Sequence, residues 1–106
     1  MKATKNNGTF ETLNTTEGVR WIATRGELEV WVSPTDDRYL ASLFAYNRPV
    51  EHAEGETAKW ALHQLAKACA VTMWDDETFF NTQVFPMMKD LNDFMKRPPR
   101  ETYNSR

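Results

Sequence analysis

One cysteine, two histidines and four scattered glycines are all that this 106-residue chain offers to the commonest kinds of active site. With Cys69 alone, no internal disulfide can form, and the chain suits a reducing compartment. His52 and His63 stand eleven residues apart and match no zinc spacing, so the acidic neighbours Glu51, Glu54 and Glu56 are read as solvated rather than as cation ligands. Gly8, Gly18, Gly26 and Gly55 are isolated, and no glycine-rich loop leads into a helix bearing a phosphate-binding lysine. No serine sits in a nucleophile-elbow context. The expectation is a protein with no catalytic residues, no cofactor and no metal.

Long apolar runs are missing as well. The stretch Met1-Lys2-Ala3-Thr4-Lys5-Asn6-Asn7 holds nothing resembling a signal peptide, and no segment is apolar for long enough to cross a bilayer. A cytoplasmic protein with no membrane partner is expected. Nor does one sign of charge dominate: 13 basic against 15 acidic side chains leave a net charge of −2. Imitation of nucleic acid needs a dense acidic surface, and a generally basic nucleic-acid binder needs the reverse; neither fits.

What is present is a hidden split. Residues 51–95 carry eight acidic and three basic side chains, whereas residues 96–106 carry four basic and one acidic. The basic stretch, Lys96-Arg97-Pro98-Pro99-Arg100, is broken by prolines and reads as an extended arm. The organisation expected is a loose lead-in over 1–8, one domain over 9–96 and a flexible basic tail over 97–106. Hydrophobic content of 41% with 12% aromatics supports one packed core.

Within the domain, Phe10 to Thr15 reads as a strand. The runs Val19 to Thr24 and Glu27 to Val32 flank Arg25-Gly26 and read as a hairpin, with glycine supplying a positive φ. Pairing outward from that turn sets Ala23 against Leu28, Trp21 against Val30 and Val19 against Val32 on one face. Ile22 with Glu29, and Arg20 with Trp31, fall on the other. Residues 38–47 fit either a helix or a fourth strand; the strand is preferred because the sheet needs a further member to bury anything. After Arg48-Pro49 the spacing turns helical. Ala58, Ala61, Leu62, Leu65 and Cys69 form one stripe, starting near Glu54-Gly55-Glu56-Thr57. Phe80, Val84, Met87, Met88, Leu91 and Met95 form a second between Asp75 and Lys96, with a kink expected at Pro86. The fold class is therefore α+β: a small antiparallel sheet of three or four strands in a meander, then two amphipathic helices on one face.

Three residues that invite a chemical reading receive a plainer one. Cys69 belongs to the apolar stripe and reads as core. Asp75-Asp76-Glu77 reads as helix capping. The methionines Met87, Met88 and Met95 read as core filler.

The aromatics say more. Trp31 beside Arg20 is placed for a cation–π contact, and Ile22 shares that face, so the three form an exposed patch if the helices cover the opposite side. Trp60 lies off its helical stripe as a further exposed aromatic. These features point to a non-enzymatic protein-binding module, a regulator or inhibitor of the kind found among phage and plasmid accessory proteins, with a homodimer through the open face as one form. The alternative is a nucleic-acid binder that stacks bases on Trp31 and holds phosphates with Arg20, Arg25 and the arm residues Arg97 and Arg100.

Overall fold

The computed structural model describes residues 2–5 and 8–96. Turn chemistry shapes its first half. Thr16-Glu17, Gly26-Glu27 and Tyr46-Asn47 each reverse the chain between directly paired residues. Thr15 ties the first of these, its hydroxyl donating to the Gly18 carbonyl (2.6 Å) and accepting from the Glu17 N–H (3.2 Å). Gly26 takes φ +59°, and Tyr46 and Asn47 take φ 55° and 66°. Two consecutive positive φ values are the requirement of a type I′ turn, whose twist matches that of the strands it joins. A fourth reversal, over 35–38, is closed by the Thr35 N–H donating to the Arg38 carbonyl at 2.8 Å.

The outcome is a six-stranded antiparallel meander in sequence order: β1 (Lys2–Lys5), β2 (Gly8–Thr15), β3 (Gly18–Arg25), β4 (Leu28–Pro34), β5 (Tyr39–Ala45) and β6 (Arg48–Gly55). The sequence suggested three or four strands. Residues 38–47 do supply a strand, and the two additional members are β1 and β6 at the sheet edges. Lys2–Lys5 is polar enough to suggest a loose lead-in, yet it pairs with the start of β2, Lys2 opposite Glu11. The 97–106 tail, with Arg97 and Arg100, lies outside the described residues.

The β3–β4 hairpin turns on Gly26-Glu27 rather than Arg25-Gly26. Ala23 therefore faces Val30, Trp21 faces Val32 and Ile22 faces Trp31. The register differs by two residues from that expected, and because side chains alternate with period two, every residue keeps its predicted face.

One face is closed by helices. α1 (Ala58–Thr72) starts at Thr57, whose hydroxyl accepts from the Trp60 N–H at 3.0 Å. It lies over β4, β5 and β6. Gly55 permits this approach: a Cβ there would stand 2.5 Å from the Ala61 nitrogen. A 3₁₀ turn (Trp74–Asp76) and a short α2 (Glu77–Phe79) follow, with the Asp76 carboxylate accepting from the Phe79 N–H. The break expected at Pro86 is a π turn, Phe80–Val84, in which the Phe85 N–H reaches the Phe80 carbonyl. Pro86 then sits at the start of α3 (Phe85–Met95), where a missing N–H costs least. α3 covers β2 and β3.

The core between the layers is continuous and apolar. Phe10, Ala23, Val30, Val32, Ala41 and Leu43 from the sheet meet Leu65, Cys69, Val84, Met87, Leu91 and Phe94. No polar or charged residue is buried among those described. The rings of Phe10 and Phe94 are 6.0 Å apart, which fixes α3 over the middle of β2.

Candidate functional site

Since both long helices pack on one side of the sheet, the opposite side is left without a covering element among the described residues. Strand alternation delivers Arg20 and Ile22 from β3, Trp31 and Glu29 from β4, and Phe44 from β5 to that open side. All five are half-buried.

Their geometry is specific. Ile22 is directly opposite Trp31, and Arg20, two residues earlier on the same face, reaches it diagonally: its guanidinium carbon lies 5.3 Å from the Trp31 ring centre. That is a cation–π distance. The Trp31 indole N–H donates to Glu29 Oε1 at 2.8 Å, which holds the ring in one orientation. Phe44 meets the ring edge-on, with centroids 6.1 Å apart at 62°. The Arg20 Nε atom is buried and has no hydrogen-bond partner. A buried donor left unpaired carries a desolvation cost, which marks Arg20 as held in place by its packing on Trp31 rather than by hydrogen bonds at Nε.

Of the residues singled out in the sequence, Arg20, Ile22 and Trp31 come together. Arg25 does not join them, because it pairs with Leu28 and so falls on the helix side of the sheet. Trp60 belongs to the helical layer, half exposed and stacked on His63 with centroids 5.1 Å apart. Phe44 and Glu29 are the members that sequence reasoning missed. The face of Phe44 is hard to read because residues 38–47 fit a helix as well as a strand, and only the β4–β5 pairing, with Phe44 opposite Glu29, settles it. The partnership of Glu29 with the indole depends on side-chain reach, which alternation does not encode.

The remaining ionisable groups have local explanations. His52 lies on β6 opposite Ser42. The Glu51 carboxylate accepts from the Thr72 hydroxyl (2.7 Å) and the His52 backbone N–H (3.0 Å), and these bonds hold it below the usual glutamate value. Burial, with a smaller contribution from the negative charge of Glu51, pushes the Cys69 thiol up from 9.0 to about 12. A thiol so held is not a nucleophile at neutral pH. Among the described residues no group of His, Cys, Asp and Glu is arranged to hold a metal ion, and no helix is long and apolar enough to cross a membrane.

No protein-family model matches the chain, and no curated protein and no solved structure matches it.

Proposed function

We propose that the chain is a non-enzymatic protein-binding module whose partner docks on the open sheet face, with Trp31 as the anchor and Arg20, Ile22 and Phe44 around it. The observation that carries this reading is the Arg20–Trp31–Phe44 cluster on an uncovered face. Tryptophan and arginine are the residues most enriched among binding hot spots, and here both are held in place before any partner arrives. The role proposed is that of a small regulator or inhibitor. Its single, buried thiol fits a reducing compartment, so the cytoplasm is the setting proposed.

Recognition of nucleic acid by the same face is the weaker reading. Glu11 and Glu29 stand on that side beside Ile22 and Trp31, where they would repel phosphates. The Trp31 ring already carries Arg20 on its face and Phe44 at its edge, which leaves little room for a stacked base.

The test is affinity capture from lysate of the source organism, with and without nuclease, using the parent chain and an Arg20→Ala/Trp31→Ala double variant. A stoichiometric protein that survives nuclease and binds the double variant more weakly by over about 2 kcal/mol supports the reading. Equal affinity for the folded double variant removes the sheet face from consideration. Loss of the captured material on nuclease treatment would favour nucleic acid instead.

A further inference from the structure

The helical layer carries a second exposed feature, a groove between α1 and α3. Leu62, Ala66, Phe85 and Met88 form its first section, and it continues over Ala70 and Phe80 to Trp74. Measured along α1 from Lys59 to Thr72, it extends roughly 20 Å.

Two independent observations say what it is built to hold. The first is charge. Residues 51–95 contain only three lysines or arginines, Lys59, Lys67 and Lys89, against eight carboxylates. All three lysines line this groove, together with His63, and no carboxylate lines the two sections they occupy. Among the described residues none of the three forms an ion pair. An acidic segment of the chain has thus gathered its few cations along one apolar channel. Lysines placed only for solubility would not need to converge in this way.

The second observation is the π turn. In an uninterrupted α-helix, residues five apart point in different directions. The turn at Phe80–Val84, closed by the Phe85 N–H on the Phe80 carbonyl, brings the rings of Phe80 and Phe85 to 5.9 Å from each other, and both line the groove. Phe85 remains 45% exposed and Trp74 79% exposed, so the aromatic floor is unsatisfied. Single-turn π insertions recur at functional sites, and here the insertion assembles the apolar floor.

We infer that this groove docks an acidic amphipathic segment of a partner protein, with apolar side chains seated on Phe80, Phe85 and Trp74 and Asp or Glu side chains paired with Lys59, Lys67 and Lys89. Its length suits about four turns of helix. The chain's own 97–106 tail is the wrong occupant, since Arg97, Arg100 and Arg106 outnumber Glu101 and would face the lysines. The docking is independent of the sheet face and holds whether or not that face binds anything.

The experiment is selection of a random peptide display library on the intact chain. It is run in parallel on a Lys59→Glu/Lys67→Glu/Lys89→Glu variant, on Phe85→Ala and on Arg20→Ala/Trp31→Ala, each first shown to be folded by circular dichroism. Peptides recovered on the parent should combine Asp or Glu with two or three large apolar residues at helical spacing. An enriched peptide should bind the charge-reversed variant at least about tenfold more weakly, lose affinity on Phe85→Ala, weaken with added salt, and bind the sheet-face variant as it binds the parent. The inference is overturned if no peptide is enriched, if enriched peptides are not acidic, or if the charge-reversed variant retains them equally. It is also overturned if the parent self-associates and the charge-reversed variant does not, because a second copy would then be the occupant.

Discussion

The two faces of this sheet are made by the same strands with the same alternation, yet they have opposite fates. Trp21 on one face meets Tyr39, with centroids 6.4 Å apart, beneath the helices, whereas Trp31 on the other is left to Arg20 and Phe44. The strands already favour one outcome, since Trp21 shares its face with Ala23, Leu28, Val30 and Val32, whereas Trp31 shares its own with Arg20 and Glu29. The second half of the chain completes it, α1 and α3 supplying the apolar stripes that seal that side. A sheet pattern thus sets which residues travel together and which set is apolar enough to become core, and the helices supply the layer that covers it.

A matched pair of substitutions would break that comparison most sharply. Phe10 and Phe44 are both sheet phenylalanines, on opposite faces. Phe10 is fully buried against Phe94, so Phe10→Ala should destabilise the fold by about 3–5 kcal/mol through lost transfer energy and a residual cavity. Phe44 is half-buried on the open side, where water already reaches it, so Phe44→Ala should cost about 1 kcal/mol, mostly from its contact with Trp31. Urea unfolding of both variants gives the answer directly. Equal costs would mean that the open face is as much a part of the core as the closed one.

The attachment of the helical layer is tested at Gly55. An added Cβ would meet the Ala61 and Trp60 backbone at 2.5–2.9 Å, and backbone atoms cannot rotate away as a side chain can. Gly55→Ala should therefore destabilise by about 1–3 kcal/mol, as overpacking commonly does. A stability equal to the parent's in the same urea titration would show that α1 is free to shift on β6. Such freedom would make the closed face less closed than it looks.

How far these features were legible depends on how local their cause is. The β3–β4 hairpin was readable because alternation and a glycine turn lie within fourteen residues, Val19 to Val32, and a register error of two leaves the faces unchanged. The α1 and α3 stripes were readable for the same reason. β6 was not: the register shift between Leu43 and Phe44 leaves Val50 between the paired residues Pro49 and Glu51, and that insertion breaks the two-residue alternation of Val50-Glu51-His52-Ala53. Its proline argued against a strand, although an edge strand tolerates one. The patch of Arg20, Ile22 and Trp31 followed from alternation alone. The groove did not, because Lys89 joins Lys59 and Lys67 only through the packing of α3 on α1, and because no periodicity rule anticipates a π turn.

Cys69 offers the gentlest probe, since it is a single atom set in the closed layer. On the buried face of α1 and at 0% exposure, its thiol is raised from 9.0 to about 12, burial being the larger cause and the charge of Glu51 the smaller. In the unfolded chain the thiol titrates near its ordinary value. Between those two values the unfolded state sheds a proton that the folded state keeps, so alkali favours unfolding. The stability that the thiol contributes is complete below about pH 9 and declines as pH rises toward 12. Above pH 9 the parent should accordingly lose stability more steeply than Cys69→Ala, in which other titrating groups act equally. Both proteins should show parallel profiles at lower pH. Alkylation by iodoacetamide at neutral pH should be slow in the native protein and fast once urea unfolds it. A native thiol that reacts quickly, together with superimposable alkaline profiles, would mean that the helical layer opens often enough to expose the core, and the contrast between the sheet's two faces would then be one of degree.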